Sequence, residues 1–293
     1  MIPVQRVVSA PRTRVILGEG PVWDERTQRI YWVDIERGEL HSCDAEGKGA
    51  LLTRVGELLS CIALRDREPG FIAGLEHRIG LLMPQPLSIA TLSAPEADQP
   101  ANRCNDGKCD LHGRFWVGTL HKSGEAATGW MYRVDPDGRT TRTAGPFMCT
   151  NGPEFSPDGK TLYCVDSYER TIYRFAVDQS GALSNQRTFV TFEDPTWGWP
   201  DGLTVDQEGC LWVAHWGGSR VSRFSPTGAL LEAVQMPVSQ VTSCTFGGRN
   251  LSTLFITSAS KGLEVSGTTE SLAGALFAVD LPIGGFAARR FAG

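Results

Sequence analysis

The chain has 293 residues and a formal net charge of −5, with 28 Lys+Arg against 33 Asp+Glu. Its basic residues form no run or stripe, which argues against a nucleic-acid partner. No apolar run reaches the roughly 18 residues of a membrane span, and the opening Met1-Ile2-Pro3-Val4-Gln5-Arg6 lacks the apolar core of a signal peptide, so we expect a cytoplasmic protein without a membrane partner.

Taken in chain order, six openings recur at intervals of about 40 to 50 residues, each followed by an apolar stretch, a turn and an aromatic-rich strand. They are Glu19-Gly20, Ser60-Cys61, Asn105-Asp106-Gly107, Asn151-Gly152, Asp201-Gly202 and Ser243-Cys244. The fourth and fifth units set the register. Asn151-Gly152-Pro153-Glu154-Phe155 leads through Ser156-Pro157-Asp158-Gly159 to Thr161-Leu162-Tyr163-Cys164-Val165-Asp166. Asp201-Gly202-Leu203-Thr204-Val205 leads through Asp206-Gln207-Glu208-Gly209 to Leu211-Trp212-Val213-Ala214-His215. Each is a strand, a tight Asp/Gly turn and a second strand of aromatic and β-branched residues. Third strands follow at Thr171–Phe175 and Arg220–Phe224, and the remaining length accommodates a fourth.

The pattern predicts an all-β, six-bladed β-propeller occupying 1–293 as one domain, with blades opening near 19, 60, 106, 151, 201 and 243. Segments near 5–15 and 275–292 are free to close the ring. Thirty-three glycines and 17 prolines suit many short strands, and no stretch keeps a 3.6-residue apolar period over three turns. The second strand returns to the face where the first began, so Asp34, Leu75, Thr119, Asp166, His215 and Ser258 are expected around the mouth of the axial site.

Equivalent positions in a propeller meet at the axis, which gathers Glu19, Asn151 and Asp201, with Asn105 or Asp106 from a fourth blade. Converging carboxylates repel, and a divalent cation relieves the repulsion. Oxygen donors favour Ca²⁺, Mg²⁺ or Mn²⁺, with Zn²⁺ also able to accept carboxylate. An Asp-Gly or Asn-Gly taken singly is an ordinary turn; here the separate hairpin turns are already accounted for. His215 is a candidate mouth residue for substrate contact or proton transfer, and Trp197 and Trp199 are candidate pocket walls. His41, His77 and His112 are expected to be solvated. The eight cysteines lack a CxxC pair and sit mostly in apolar stretches, as buried free thiols do, although Cys104 and Cys109 flank the Asn105-Asp106 motif closely enough to pair. No G-x-S-x-G, P-loop or H-E-x-x-H occurs, which removes the common serine-hydrolase, NTPase and zincin readings.

Several of these motifs occur together in a fixed order. They are Leu17-Gly18-Glu19-Gly20-Pro21-Val22-Trp23 with Tyr31-Trp32-Val33-Asp34, Arg103-Cys104-Asn105-Asp106-Gly107-Lys108 with Gly113-Arg114-Phe115-Trp116-Val117-Gly118-Thr119, Asn151-Gly152-Pro153, and Pro200-Asp201-Gly202-Leu203. From about residue 15 to 280 the chain resembles the senescence-marker-protein/gluconolactonase (regucalcin-like) family of sugar-lactone hydrolases. The resemblance implies one divalent metal ion (Ca, Zn, Mg, Mn or Fe) held by Glu19, Asn151 and Asp201. It implies a sugar-lactone substrate held by Arg103 and Asn105, and Asp201 as catalytic general base. Asp106, His121 and His215 are further candidate substrate contacts. Where many relatives carry an acidic sugar contact after Val117-Gly118-Thr119, this chain has Leu120-His121-Lys122-Ser123-Gly124-Glu125, with Glu125 displaced. That basic stretch would suit a lactone with an additional carboxylate, an aldarolactone.

The expected activity is therefore metal-dependent opening of an aldonolactone, such as a glucono-, galactono-, arabinono- or xylonolactone, to the free acid. The alternatives are an aldarolactonase, a phosphotriesterase or other-lactone hydrolase on the same propeller, and a non-catalytic metal-binding propeller scaffold.

Overall fold

The computed structural model describes residues 1–9, 14–264 and 270–293. It is a six-bladed β-propeller, each blade an antiparallel sheet whose first strand faces the central axis. Blade one comprises Gly18–Asp24, Arg29–Asp34, Glu39–Cys43 and Leu51–Arg54. Blades two to five open with Leu59–Leu64, Asn102–Cys109, Thr150–Phe155 and Trp199–Val205. Blade six contributes Val241–Gly247, Thr253–Ser258 and Phe277–Asp280.

The N-terminus closes the ring. Arg6–Val7 pairs antiparallel with Phe277 and Ala278, giving blade six its outer strand from the other end of the chain, and Ile2–Pro3 adds a parallel edge to blade five. The segment after Asp280 does something different from the expected closure. It crosses one face, where Phe291 N–H donates to Leu64 O (2.8 Å) and Ala292 N–H to Gly113 O (3.0 Å), and Arg290 pairs with Asp24 and Glu25.

Packing between blades is apolar and close. Trp116, Phe155, Leu162, Cys164 and Phe175 fill one such layer, and Trp23 stacks on Phe255 with ring centroids 5.5 Å apart. All eight cysteines are free thiols, Cys104 and Cys109 included; burial pushes the Cys104 thiol up to about 12, so it behaves as a small core residue.

The first strand of every blade breaks register with the second at its axial position. The shifts fall between Glu19 and Val22, Leu59 and Cys61, Cys104 and Gly107, Asn151 and Pro153, Pro200 and Leu203, and Val241 and Ser243. A bulge bends the strand and re-aims one side chain, here toward the axis. In blades one, four and five a glycine follows the axial residue, and two separate effects require it. Gly20 and Gly152 have φ of 51° and 43°, which L side chains rarely adopt. At Gly202 a Cβ would stand 2.2 Å from Ser243 Oγ, so only glycine lets neighbouring blades approach this closely.

The bulge also shifts which residues face the mouth. Asp34 and Asp166 are buried at the returning strand ends, where they accept N–H bonds from Ile16 (2.8 Å) and Met148 (2.8 Å) and so anchor the incoming loops. Residues just beyond those ends, Ile35, Leu120, Ser167 and Trp216, line the cavity instead. His41 is likewise buried, stacked on Trp32 at 5.3 Å beside Glu39, not solvated as its turn context suggests.

Hairpin aspartates that look alike in sequence differ in depth. Asp206 is fully buried; it accepts from Glu208 N–H and Cys210 N–H, Trp212 Nε1 and Arg223 Nε at 2.7–3.0 Å. Asp158 is exposed and serves its own turn, through Ser156 Oγ and Lys160 N–H. Asp206→Ala is expected to cost about 3 kcal/mol by leaving Trp212 Nε1, the Cys210 N–H and Arg223 Nε without their buried acceptor, and Asp158→Ala to stay within about 1 kcal/mol of the parent. Denaturant midpoints check both; equal losses would show that the buried pairing adds nothing.

Candidate active site

At one end of the axis lies a cavity of about 320 Å³, at the small end of the roughly 300–1,000 Å³ usual for small-molecule sites. Glu19, Asn105, Asn151 and Asp201 all line it, and each is only 6% exposed. The bulges of blades one, three, four and five thus bring together the residues that the repeat aligned. Arg103, His121 and Trp199 also line this cavity.

A hydrogen-bond chain runs around the axis from blade to blade. Arg103 Nη1 donates to Asn105 Oδ1 (2.7 Å), and Asn105 Nδ2 donates to Asn151 Oδ1 (2.7 Å) and Thr150 O (2.7 Å). Asn151 Nδ2 donates to Ser167 Oγ (2.9 Å), whose hydroxyl donates to Pro200 O (2.7 Å), the residue before Asp201. The chain fixes both amides, with their oxygens and nitrogens assigned by partner. Ser167 carried no signal in the sequence, since its role depends on standing opposite another blade.

The two acids are electrostatically uncomfortable. Burial, then Asp201 and Asp106, pushes the Glu19 carboxyl well above the ordinary range. Burial, then Asp106, does the same to Asp201. Asp201 Oδ1 is buried with no hydrogen-bond partner, while Glu19 Oε2 accepts from Gly20 N–H at 3.0 Å. A partnerless buried carboxylate oxygen beside a second raised carboxyl and two fixed amides fits a hard divalent cation. Among the described residues no cluster of three or more His, Cys, Asp or Glu is placed to hold a metal, so this set depends on amide oxygens as well as acids.

Two expected substrate contacts lie elsewhere. Asp106 faces a second, smaller cavity of about 70 Å³ further down the axis, with Lys108, Glu154 and Arg289. Its oxygens accept from Gly107 N–H (2.7 Å) and Gly152 N–H (3.0 Å), so it braces the strand carrying Asn151 from below. The register shift between Cys104 and Gly107 falls on this pair, so the bulge aims Asn105 and Asp106 at different layers. Lys108 joins Glu154 at 2.9 Å and reaches Leu203 O, tying blades three, four and five.

His215 is fully buried, not at the mouth. Its ring packs 4.4 Å from Phe192, and Nδ1 donates to Trp197 O at 2.8 Å. Trp197 packs against Phe192 and Phe224, leaving Trp199 and Trp216 as the tryptophans that wall the cavity. Glu125 is exposed and does not line the cavity; Leu120 does. Leu17, Met148, Cys149, Tyr168 and Lys261 also line it, and sequence reasoning had not singled them out.

Fold and floor together define a six-bladed propeller with a cluster of oxygen-bearing side chains on its axis. The chain belongs to the SMP-30/Gluconolactonase/LRE-like family, whose model matches residues 17–260. It is 36% identical over 279 residues to the 6-deoxy-6-sulfogluconolactonase of Pseudomonas putida, covering 95% of this chain and 96% of that one. It is 35% identical to the L-arabinolactonase of Azospirillum brasilense, covering 96% and 94%. The crystal structure of a calcium-binding regucalcin from Agrobacterium tumefaciens superposes with a TM-score of 0.92 at 26% identity, covering 99% of this chain and 98% of that one.

Burial holds His215 neutral, lowering its pKa to about 3. The unfolded chain takes up that proton below about 6.5, so folding stability is lost as pH falls from there toward the folded value, by at most about 1.4 kcal/mol per unit. His215→Gln is expected to flatten the stability profile between about pH 6 and 4. Identical slopes in parent and variant would mean that the imidazole titrates freely.

Proposed function

We propose that this protein hydrolyses a sugar-acid lactone to the free acid, using a divalent cation held by Glu19, Asn151 and Asp201. The observation that carries this reading is the partnerless Asp201 Oδ1 at the floor of a cavity shared with Glu19, Asn105 and Asn151. The sugar-lactonase activities named for its relatives support it. Calcium binding by the regucalcin neighbour supports a divalent metal, without selecting among Ca, Zn, Mg, Mn and Fe. Eight free thiols suit a reducing, cytoplasmic setting.

A cation held there supplies Lewis-acid polarisation of the ester carbonyl. Asp201 accepts a proton from the attacking water and can return it to the leaving ring oxygen, so that acyl-oxygen cleavage releases a carboxylic acid and a hydroxyl. Its buried position suits the task, because a carboxylate short of solvent is a stronger base than one in water. Arg103 spends one nitrogen on Asn105 Oδ1 and Cys104 O, leaving other donors of its fork for the substrate. Held by Arg103 and Thr150, Asn105 keeps its amide fixed, so little orientation entropy remains to be lost on attack. Tyr168, Trp199 and Trp216 give the ring apolar faces to lie against.

Asp201→Asn keeps the cavity's shape and removes the base, so kcat is expected to fall on the order of 10³-fold in a lactone-opening assay followed by acid release. Turnover within tenfold of the parent would move the base elsewhere. Chelated protein is expected to be inactive and to recover on adding a divalent cation, and Glu19→Gln to weaken cation binding in calorimetry. Full activity after chelation would remove the metal from the reaction.

A further inference from the structure

The wall above the oxygen-donor floor has a sign of its own. Arg103, Lys122 and Lys261 line it together with His121, whereas the carboxylates lining the cavity are the two at the floor, Glu19 and Asp201. This cationic rim belongs to a chain of net charge −5. Lys122 approaches from blade three, beside Arg103, because His121 pairs with Asn102 and Lys122 N–H donates to Ala101 O at 2.8 Å. Lys261 approaches from the opposite flank, after the inner hairpin of blade six.

Each lysine has a carboxylate partner, but the partner lies outside the cavity. Lys122 Nζ is 2.9 Å from Glu76, and Lys261 Nζ is 2.5 Å from Glu36. Neither glutamate lines the cavity. The lysine side chains are 38% and 53% exposed, a setting in which ion pairs are weak and exchangeable. Each ammonium has three donors, so an incoming anion can be bound without first breaking the pair. Arg103 has no carboxylate in hydrogen-bond contact among the described residues; its bonds go to Cys104 O and Asn105 Oδ1.

The remaining wall reinforces this. Its other side chains include Leu17, Ile35, Leu120 and Met148 and the aromatic Tyr168, Trp199 and Trp216. Sugar hydroxyls need acceptors as well as donors, and above the floor the charged groups of this wall only donate. A group that only accepts, such as a carboxylate or sulfonate, matches a donor rim far better than a hydroxyl does.

We propose that the site is specific for sugar lactones carrying a second anionic group, carboxylate or sulfonate, distal to the ester carbonyl, with Lys122 and Lys261 as specificity-determining residues that bind it. This rests on the lactone-hydrolase reading above and narrows its substrate class. With the ester at the floor, the far end of the sugar lies against the rim, and the cationic wall also draws an anionic substrate in from solution.

The test compares three lactones of one hexonic acid that differ only at C6: hydroxymethyl, carboxylate and sulfonate. The metal-loaded protein is expected to show kcat/KM at least about fivefold higher for an anionic form, the size that two half-exposed charge contacts can supply. The preference is expected to shrink as salt rises. In Lys122→Met/Lys261→Met, folded by its unfolding midpoint, the anionic-to-neutral ratio is expected to fall by about the same factor. The carboxylate and sulfonate arms show which anion is favoured. A wild-type ratio near one, or a ratio the double variant leaves unmoved, overturns the proposal while lactone opening stands. Should none of the three lactones open, the lactonase reading fails by itself. Calorimetric binding of the corresponding open-chain acids then still decides the rim, with equal affinity for C6-hydroxymethyl and C6-anionic acids overturning it.

Discussion

Like charges forced together without water are the constraint on which this molecule turns. Glu19, Asp106 and Asp201 sit buried near one axis; beyond burial itself, Asp201 and Asp106 push Glu19, and Asp106 pushes Asp201, toward the protonated form. Such an arrangement persists only if compensation is built in. In the lower layer it is: Lys108 stands against Glu154, and Asp106 accepts two backbone N–H bonds. In the upper layer Asp201 Oδ1 has no such partner. The two layers therefore divide the work, the lower one tying blades together and the upper one keeping free oxygens where chemistry can use them.

The strand bulges make this convergence possible. A regular first strand would alternate its side chains between its two faces, and the axial residue would have to compete with packing against the next blade. The register shift at every axial position re-aims one side chain per blade, and in blades four and five the glycine that follows, Gly152 or Gly202, lets the neighbouring blade come close. Precision comes from the lateral network through Arg103, Asn105, Asn151 and Ser167, which links blades three, four and five by fixed amides and hydroxyls. A floor held this way suits a reaction that depends on orientation more than on motion.

Above the floor the constraints relax, and the rim differs in kind. Its two lysines, Lys122 and Lys261, are half-exposed and tethered by exchangeable pairs, so they can change without disturbing the axial layers. On the proposed function this separates a rigid, buried reacting layer from a soft, solvent-facing selecting layer, and the relatives are themselves named for different sugar lactones.

The repeat was fully legible in the sequence, because each blade must close its own hairpin locally, and Asp/Gly turns between β-rich runs record that. Glu19, Asn151 and Asp201, with Asn105 or Asp106 from a fourth blade, could be aligned for the same reason, and the structure places Glu19, Asn105, Asn151 and Asp201 on one cavity. What the sequence could not supply was direction. His215 looked like a mouth residue and is enclosed by Phe192 and Trp197; Asp106 looked interchangeable with Asn105 and faces the other end of the channel. Both outcomes turn on which way a bulged strand points its side chains, a property set by contacts between blades. Ser167 and Lys261 join the site only because blades far apart in the chain meet around the ring. The sequence by itself determined the number of blades and the axial placement of Glu19, Asn151 and Asp201, since these are written in local periodicity. Tertiary structure alone decided which side chains face the cavity and which brace its wall, because that choice is made by packing across interfaces that no single repeat contains.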